Sequence, residues 1–187
     1  MEQVSNDDFD FILLRMKKKF TVKPEKKGRE NGGEGQDFGM GFSLRVSEEF
    51  ERADAKRASG LFWSEKRPPV ILTTSKEREG LTFQFLNGEV EGESLLECSK
   101  MIKQLIEQLD GRCVFYSAGE ESETVWFDYK SFAENECVYN LVFLFQTSTR
   151  KVLGTFFCLF EEYDKWKPQV LKLLKTIKTK EEVHEGL

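Results

Sequence analysis

Residues 137–177 read CVYNLVFLFQTSTRKVLGTFFCLFEEYDKWKPQVLKLLKTI, and this stretch decides the fold. Residues 137–146 and 151–161 are rich in β-branched and aromatic side chains, which favour strands. The polar connection TSTR between them suits an antiparallel pair. Both predicted strands carry apolar side chains on both faces, so we expect this hairpin in the middle of a sheet that is covered on both sides.

Two helices are predicted from the spacing of apolar residues. The last helix begins with Asp164 as its predicted N-cap, and Pro168 falls in its predicted first turn, where a missing N–H is tolerated. An earlier helix is predicted over residues 95–109, with Ser94 as N-cap and Gly111 as its stop. The buried stripe of the last helix is predicted to comprise Trp166, Val170, Leu173, Leu174 and Ile177.

Short alternating runs elsewhere predict further strands. They lie at residues 8–16, 42–46, 70–74, 81–86, 113–117 and 124–130. Pro68 and Pro69 force an extended entry into the strand at 70–74, and Ser47 is predicted to cap a short helix after the strand at 42–46. These elements predict an α+β fold. We expect an antiparallel, highly curved or twisted sheet of about six to seven strands, with helices packed on its faces.

The composition changes along the chain and predicts the domain boundaries. Residues 1–22 are expected to form an N-terminal extension that carries an extra strand at 8–16. Residues 23–39 contain five Gly and many charges and are expected to form a flexible loop, because they cannot bury enough surface to order themselves. Residues 40–178 are expected to form a single α+β domain, followed by a frayed tail at 179–187.

The charge balance argues against a nucleic-acid partner. The chain of 187 residues has a formal net charge of −5, whereas a nucleic-acid binder normally has a basic excess. Two segments are nevertheless basic: residues 15–29 carry eight Lys or Arg against one Glu, and residues 165–180 carry six Lys and no acid. Such patches either steer a charged partner or form ordinary solvated faces and tails.

Neither a signal peptide nor a membrane span is predicted, so we expect a cytoplasmic protein without a membrane partner. The four cysteines fall in predicted helix or strand and form no C-x-x-C pair. We therefore expect four reduced, packed thiols. One bridge between neighbouring strands through Cys113, Cys137 or Cys158 remains an alternative.

The order of elements is similar to that of a known superfamily. GFSLRVSEEFERAD at 41–54 resembles the opening of PsbP-like and DcrB-like proteins, a superfamily shared with the Ran-binding Mog import factor. The resemblance continues through WSEKRPPVILTT at 63–74, LTFQF at 81–85, the helix at 95–109 and the final hairpin and helix. It covers about residues 40–178 and implies the α+β fold and a non-catalytic role in binding or assembly. The chain lacks the signal or lipoprotein Cys of the exported members, which argues against a periplasmic or lumenal role.

No catalytic constellation is recognisable in the sequence. His184 is the only histidine and lies in the predicted tail, so we expect no enzyme, no cofactor and no metal site. Glu120, Glu121 and Glu123 could together bind a cation, but their turn-like context favours a solvated hairpin.

The segment most typical of a contact surface is the Pro-rich loop at 61–67. Leu61, Phe62 and Trp63 are apolar and Arg67 is nearby, a combination common at binding hot spots. The alternative is that these side chains fold back onto the sheet edge and close the core. Both interpretations remain open from the sequence.

Two function classes follow from these observations. The first is a cytoplasmic protein- or peptide-binding or assembly module that acts as a monomer, with a protein partner that the sequence does not identify. The second is a secretion-type chaperone, which would also be small, acidic and α+β but would act as a dimer. We expect the first, a monomer rather than a dimer.

Overall fold

The computed structural model of the chain describes residues 35–62, 66–86, 92–133 and 135–180. The strand predicted at residues 8–16 lies outside these ranges. The described elements, in chain order, are β1 Gln36–Asp37, β2 Phe42–Leu44, β3 Phe50–Arg52, α1 Ala55–Leu61, β4 Val70–Thr74, β5 Gly80–Phe85, α2 Leu95–Leu109, β6 Val114–Glu121, β7 Thr124–Phe132, β8 Cys137–Gln146, β9 Lys151–Leu159, a 3-10 turn Phe160–Glu162, α3 Tyr163–Leu174 and β10 Lys178–Thr179.

Seven of the strands form one antiparallel sheet in the order β3-β4-β5-β9-β8-β7-β6. The β8–β9 hairpin lies at the middle of this order, as its two-sided apolar pattern predicts. Phe143 of β8 lies directly opposite Gly154 of β9. A Cβ atom at Gly154 would come within 2.2 Å of the Phe143 ring, so glycine is what allows this ring to lie flat over the neighbouring strand.

The alternation of side chains along β8 divides the core into two parts. Tyr139, Leu141, Phe143 and Phe145 face the side that carries α3. Val142 and Leu144 face the opposite side, which carries α2. The α+β fold with helices on the faces of an antiparallel sheet is therefore confirmed.

On the α2 side, the helix has well-defined ends and a fully buried stripe. The Ser94 side chain accepts a hydrogen bond from the Glu97 N–H, which confirms Ser94 as the N-cap. The Glu97 carboxylate accepts a hydrogen bond from the Ser94 N–H in return, so the two residues form a capping box. Cys98, Ile102 and Ile106 point into the core against β7 and β8. Helix α1 covers the rest of this side, where Leu61 and Phe62 pack against Ile71, Val138 and Phe157.

On the other side, α3 shares the sheet with a small three-stranded sheet of order β1-β2-β10. Phe42 and Leu44 of β2 are fully buried against the large sheet. Trp166, Val170 and Leu174 are the buried residues of α3, and Leu173 and Ile177 pack beside them, so the predicted stripe is confirmed.

The helix predicted after Ser47 is wrong. Residues 48–49 form a turn, and Phe50–Arg52 is strand β3, which pairs with β4. The helix begins instead after Asp54, whose carboxylate accepts the Arg57 N–H at 2.8 Å. The capping signal at Ser47 is local, whereas pairing with β4 and burial of Phe50 stabilise the strand through tertiary contacts.

Two predicted boundaries also differ from the structure. Residues 36–38 do not belong to a flexible loop as predicted over 23–39, because Gln36–Asp37 pairs with β2 and Phe38 is buried, while residues 23–34 lie outside the described residues. Thr179, the first residue of the predicted frayed tail, is ordered in β10, because Lys178–Thr179 pairs with the other edge of β2; residues 181–187 lie outside the described residues. Both strands are only two residues long, and such strands exist through their pairing rather than through local propensity.

The start of α3 differs from the prediction as well. Glu162 occupies the N-cap position, two residues before the predicted Asp164, and makes no side-chain capping bond. Pro168 therefore lies in the second turn of the helix rather than the first. A proline there has no N–H to donate to the carbonyl of Asp164, which removes one helix hydrogen bond.

Candidate functional site

The residues of the predicted contact loop at 61–67 have different surroundings in the structure. Leu61 and Phe62 are buried, and the Phe62 ring meets the Phe157 ring edge-on at 6.1 Å, as the core-closing alternative expects. Trp63 lies outside the described residues, and Arg67 is half-buried. A contact role for Trp63 and Arg67 stays a prediction.

A different feature is the strongest candidate site: a cavity of about 360 Å³ between α3 and residues 45–50. Strands β5 and β9 form its floor, while α3 and the β2–β3 connection form its walls. Its apolar lining comprises Val46, Phe50, Leu81, Phe156, Trp166, Val170 and Leu173. A mainly apolar concavity of this size is typical of a ligand or side-chain binding site.

Hydrogen bonds hold the two walls of the cavity at a fixed distance. The Arg45 N–H donates to Oγ1 of Thr176 at 3.0 Å, which ties the end of β2 to the end of α3. Thr176 in turn donates its hydroxyl proton to the Leu173 carbonyl at 2.8 Å. The Phe50 N–H donates to the Ser47 carbonyl at 3.0 Å and closes the turn in the opposite wall. Hydrogen bonds therefore frame the cavity at both ends, through the Thr176 side chain at one and through the backbone at the other.

The rim of the cavity is polar and exposed, unlike its interior. Arg45, Ser47 and Glu48 contribute from the β2–β3 connection, and Gln169 and Lys172 contribute from α3. Ser47 donates its hydroxyl proton to the Glu49 carboxylate at 3.3 Å, and no histidine or cysteine is among the lining residues of the cavity. An apolar interior under such a rim suits binding of an apolar group better than bond-breaking chemistry.

Trp166 connects the cavity to the core. Its ring packs against Phe50 and Phe156, each at a centroid distance of 5.6 Å. Nε1 of Trp166 is buried and has no hydrogen-bond partner among the described residues, and the same is true of Nε1 of Trp126 on this side of the sheet. A buried donor without a partner costs about 1–3 kcal/mol, so this side of the core is not optimised for stability.

An ion pair between a half-buried lysine and a buried aspartate joins α3 to the sheet. The Asp128 side chain is 1% exposed, and its Oδ2 atom lies 2.5 Å from Nζ of Lys167. The carboxylate also accepts the Tyr139 hydroxyl at 2.8 Å and the Ser117 N–H at 2.7 Å. Because these bonds satisfy the carboxylate on three sides, the pair acts as a fixed anchor for the helix.

A second buried carboxyl group, that of Glu79, lies in the connection between β4 and β5, beside Glu162 of the 3-10 turn. Burial raises the pKa of Glu79, the hydroxyl of Thr74 opposes this by donating to its carboxylate at 2.7 Å, and the neighbouring Glu162 carboxyl raises the pKa further. The charge of Lys165 on α3 lowers the pKa of Glu79 in part. Burial also raises the pKa of the neighbouring Cys158 thiol, and the two glutamates contribute to this rise. Glu79 therefore retains a proton at pH values where an exposed glutamate has lost it.

Glu120 and Glu121 lie in β6, and residues 122–123 form the turn that connects β6 to β7; Glu121 forms an ion pair with Lys175 at 3.2 Å. Within the described residues no group of three or more His, Cys, Asp or Glu side chains is arranged to hold a metal ion.

All four cysteines are free thiols, as predicted. Among the described helices, none is both long and apolar enough to cross a membrane.

The sequence predicted the apolar side chains that form one wall of the cavity, but it did not predict the cavity. The α3 wall is the apolar stripe of Trp166, Val170 and Leu173, which helical spacing identifies. The opposite wall, formed by residues 45–50, was not predicted, because the sequence analysis placed a helix after Ser47. One signal was available: Phe50 is the only large apolar residue in the run SEEFERAD, which fits a short edge strand better than an amphipathic helix.

No family model matches the sequence, and no curated protein sequence matches it significantly. Solved structures do match the fold. Cyanobacterial PsbP (CyanoP) from Synechocystis aligns with a TM-score of 0.54 at 9% identity and covers 82% of this chain and 98% of its own. The Ran-binding protein Mog1p from Saccharomyces cerevisiae aligns with a TM-score of 0.52 at 12% identity and covers 76% and 92%.

A third match is LpqN, a protein involved in cell envelope biogenesis of Mycobacterium tuberculosis. It aligns with a TM-score of 0.51 at 9% identity and covers 83% of this chain and 90% of its own. The chain therefore has the PsbP-like/Mog1 fold, as the resemblance in its sequence implies. At these identities the likeness concerns the fold alone, because one fold serves many functions.

Proposed function

We propose that the protein is a non-catalytic binding module that takes an apolar side chain of a protein partner into the cavity between α3 and residues 45–50. The observation that carries this proposal is the cavity itself: an apolar lining open to solvent under a polar rim. Large apolar anchors that fill a preformed pocket dominate the binding energy of many interfaces.

The rigid frame of the cavity supports this role. Arg45 and Thr176 are joined by a hydrogen bond, and Lys167 anchors α3 to the sheet through Asp128. A preformed site loses little conformational entropy when a partner docks, so more of the contact energy contributes to affinity. Proteins of the same fold include the Ran-binding protein Mog1p, which is in keeping with a protein partner.

The chemistry of the cavity supports binding over catalysis. Its charged and polar side chains, such as Arg45 and Lys172, lie at the exposed rim, while its interior is formed by apolar side chains. A general acid or base must reach the reacting atoms, and the interior side chains of this cavity offer none.

Affinity capture from the native host, with the full chain as bait, tests the site. Leu173→Trp places a large ring in the cavity from a half-buried position, and we expect it to abolish capture of the partner. Leu109→Trp on the exposed end of α2 is the matched control, because Leu109 is 48% exposed. We expect the control to capture normally and both variants to melt at the wild-type temperature. Unchanged capture by a folded Leu173→Trp protein would remove the cavity from consideration.

The same assay compares the cavity with the loop at 61–67. If the loop contacts the partner, Trp63→Ala and Arg67→Ala should each weaken capture by about 1–3 kcal/mol without changing the melting temperature. If the Trp63 side chain closes the core instead, Trp63→Ala should lower the melting temperature while the folded fraction binds normally.

The proposal includes a monomer that works in the cytoplasm. Sedimentation of the purified chain tests the first point, because a stable dimer would favour the secretion-type chaperone. Fractionation of the native host, with detection of the protein in each fraction, tests the second.

A further inference from the structure

The chain enters the described fold beside the cavity. Gln36 of β1 pairs with Leu44 of β2, the residue immediately before Arg45. A Cβ atom built on Gly35 would lie 3.2 Å from the Ser43 hydroxyl and 3.5 Å from the Leu44 nitrogen. Since β1 and β2 are antiparallel, the sequence that precedes Gly35 leaves the fold at the end of β2 that lines the cavity.

The cavity requires an occupant with two chemical properties. Its interior is apolar, so the occupant must present large apolar side chains. Its rim carries Arg45 and Glu48 on one wall and Lys172 on the other. Residues 165–180, which include most of α3, carry six Lys and no acid, so positive charge is in excess on this side. Carboxylates that flank the apolar side chains would complement these charges.

One segment of this chain has both properties. Residues 7–16 read DDFDFILLRM, in which three Asp precede or interrupt a run of large apolar side chains. Residues 17–34 separate this segment from Gly35. A fully extended chain spans about 3.3–3.6 Å per residue, so this spacer reaches on the order of 60 Å and does not limit access to the cavity.

We propose that the cavity binds residues 7–16 of the same chain, with the Asp7 and Asp8 carboxylates facing Arg45 and Lys172. This inference rests on the proposed function, since it takes the cavity as a binding site, and it adds an internal competitor of the partner. A short tether gives an effective concentration in the millimolar range, so even a weak contact would be occupied before a partner arrives. A partner would then have to displace the segment.

Photo-cross-linking in the full-length chain tests this inference. Phe11 is replaced by benzoylphenylalanine, the protein is irradiated, and the cross-linked peptides are identified by mass spectrometry. We expect cross-links within one chain to residues that line the cavity, such as Phe50 or Leu173. The same substitution at Phe20, outside the segment, is the control and should not react there. Cross-links to the edge strand β6, to the α2 side, or between two copies would overturn the inference, and so would no cross-link.

Charge reversal at the rim sharpens the test. Arg45→Glu with Lys172→Glu should lower the yield of the Phe11 cross-link by roughly fivefold, as expected for the loss of two exposed ion pairs. Asp7→Lys with Asp8→Lys in that background should restore it, because the charges are again opposite. Lys100→Glu on exposed α2 is the matched control. A yield that does not respond to the rim charges would overturn the proposed orientation. Loss of the cross-link with cavity-dependent partner capture intact would remove this inference and leave the proposed function standing.

Discussion

The two faces of the seven-stranded sheet are covered in different ways. Helix α2 has a capping box at its start and packs Cys98, Ile102 and Ile106 tightly against β7 and β8. Helix α3 makes no side-chain capping bond, contains a proline in its second turn and encloses a cavity of about 360 Å³ together with residues 45–50. Among the described residues, two buried indole N–H groups have no hydrogen-bond partner, those of Trp126 and Trp166, and both are on the α3 side.

This difference indicates that the α2 side contributes mainly to stability, whereas the α3 side contains the candidate binding site. The α2 side follows the rules that maximise stability: reciprocal caps and a continuous apolar stripe. The α3 side departs from several of them at once, and such departures concentrate at functional sites. An ion pair and a rigid frame, rather than dense packing, hold α3 in place.

The largest expected effect lies where both faces share the β8–β9 hairpin. Phe143→Ala should destabilise the protein by roughly 3–5 kcal/mol, because the ring is fully buried over Gly154. Phe156→Ala should be at the lower end of this range, because Phe156 already borders the cavity. Chemical denaturation measures both, and an unchanged midpoint for either variant would contradict the central position of the hairpin.

The next largest loss of stability is expected when the ion pair between Lys167 of α3 and Asp128 is broken. Lys167→Met should destabilise the protein by roughly 2–3 kcal/mol, because it leaves the buried Asp128 carboxylate without its counter-charge. The double variant with Asp128→Asn should recover part of this loss, because it removes the uncompensated charge. If the two changes are simply additive in urea denaturation, the pair is not the anchor of α3.

A smaller effect concerns pH. The folded-state pKa of Glu79 is raised, so the folded protein holds this proton more tightly than the unfolded chain does. Its contribution to stability is present at acid pH and is lost as the pH rises from the ordinary glutamate pKa through the raised one. The stability of Glu79→Gln relative to wild type should therefore increase as the pH rises above the ordinary glutamate pKa. Glu107→Gln on exposed α2 should show no such trend, and a flat difference for Glu79→Gln would contradict the raised pKa.

The sequence predicted the elements that carry their own periodic signal. The two-sided apolar pattern at 137–161 gave the central hairpin, and the apolar stripe with Ser94 gave α2 almost to the residue. The strands β1, β3 and β10 could not be obtained in this way. Each has two or three residues and is stabilised by a partner strand that is distant in sequence, such as β2 for β10.

The candidate site shows the same limit. Helical spacing identified Trp166, Val170 and Leu173 as a buried stripe, but not that an open space lies beneath them. That space depends on where Phe50 and the β2–β3 connection pack, which is a tertiary property. Aromatic composition in the loop at 61–67 left both a contact surface and core closure open, and only the packing of Leu61 and Phe62 shows that these two side chains are buried.

The most direct test of the difference between the two faces is one substitution made on each. Val170 lines the cavity on α3, and Val142 is fully buried on the α2 side. Val170→Ile should leave the free energy of unfolding unchanged or raise it by about 0.5–1 kcal/mol, because the added methyl group enters open space. Val142→Ile should lower it by about 1–2 kcal/mol, because that core has no room. Equal losses in both variants, measured by urea denaturation, would contradict an open binding cavity beneath α3.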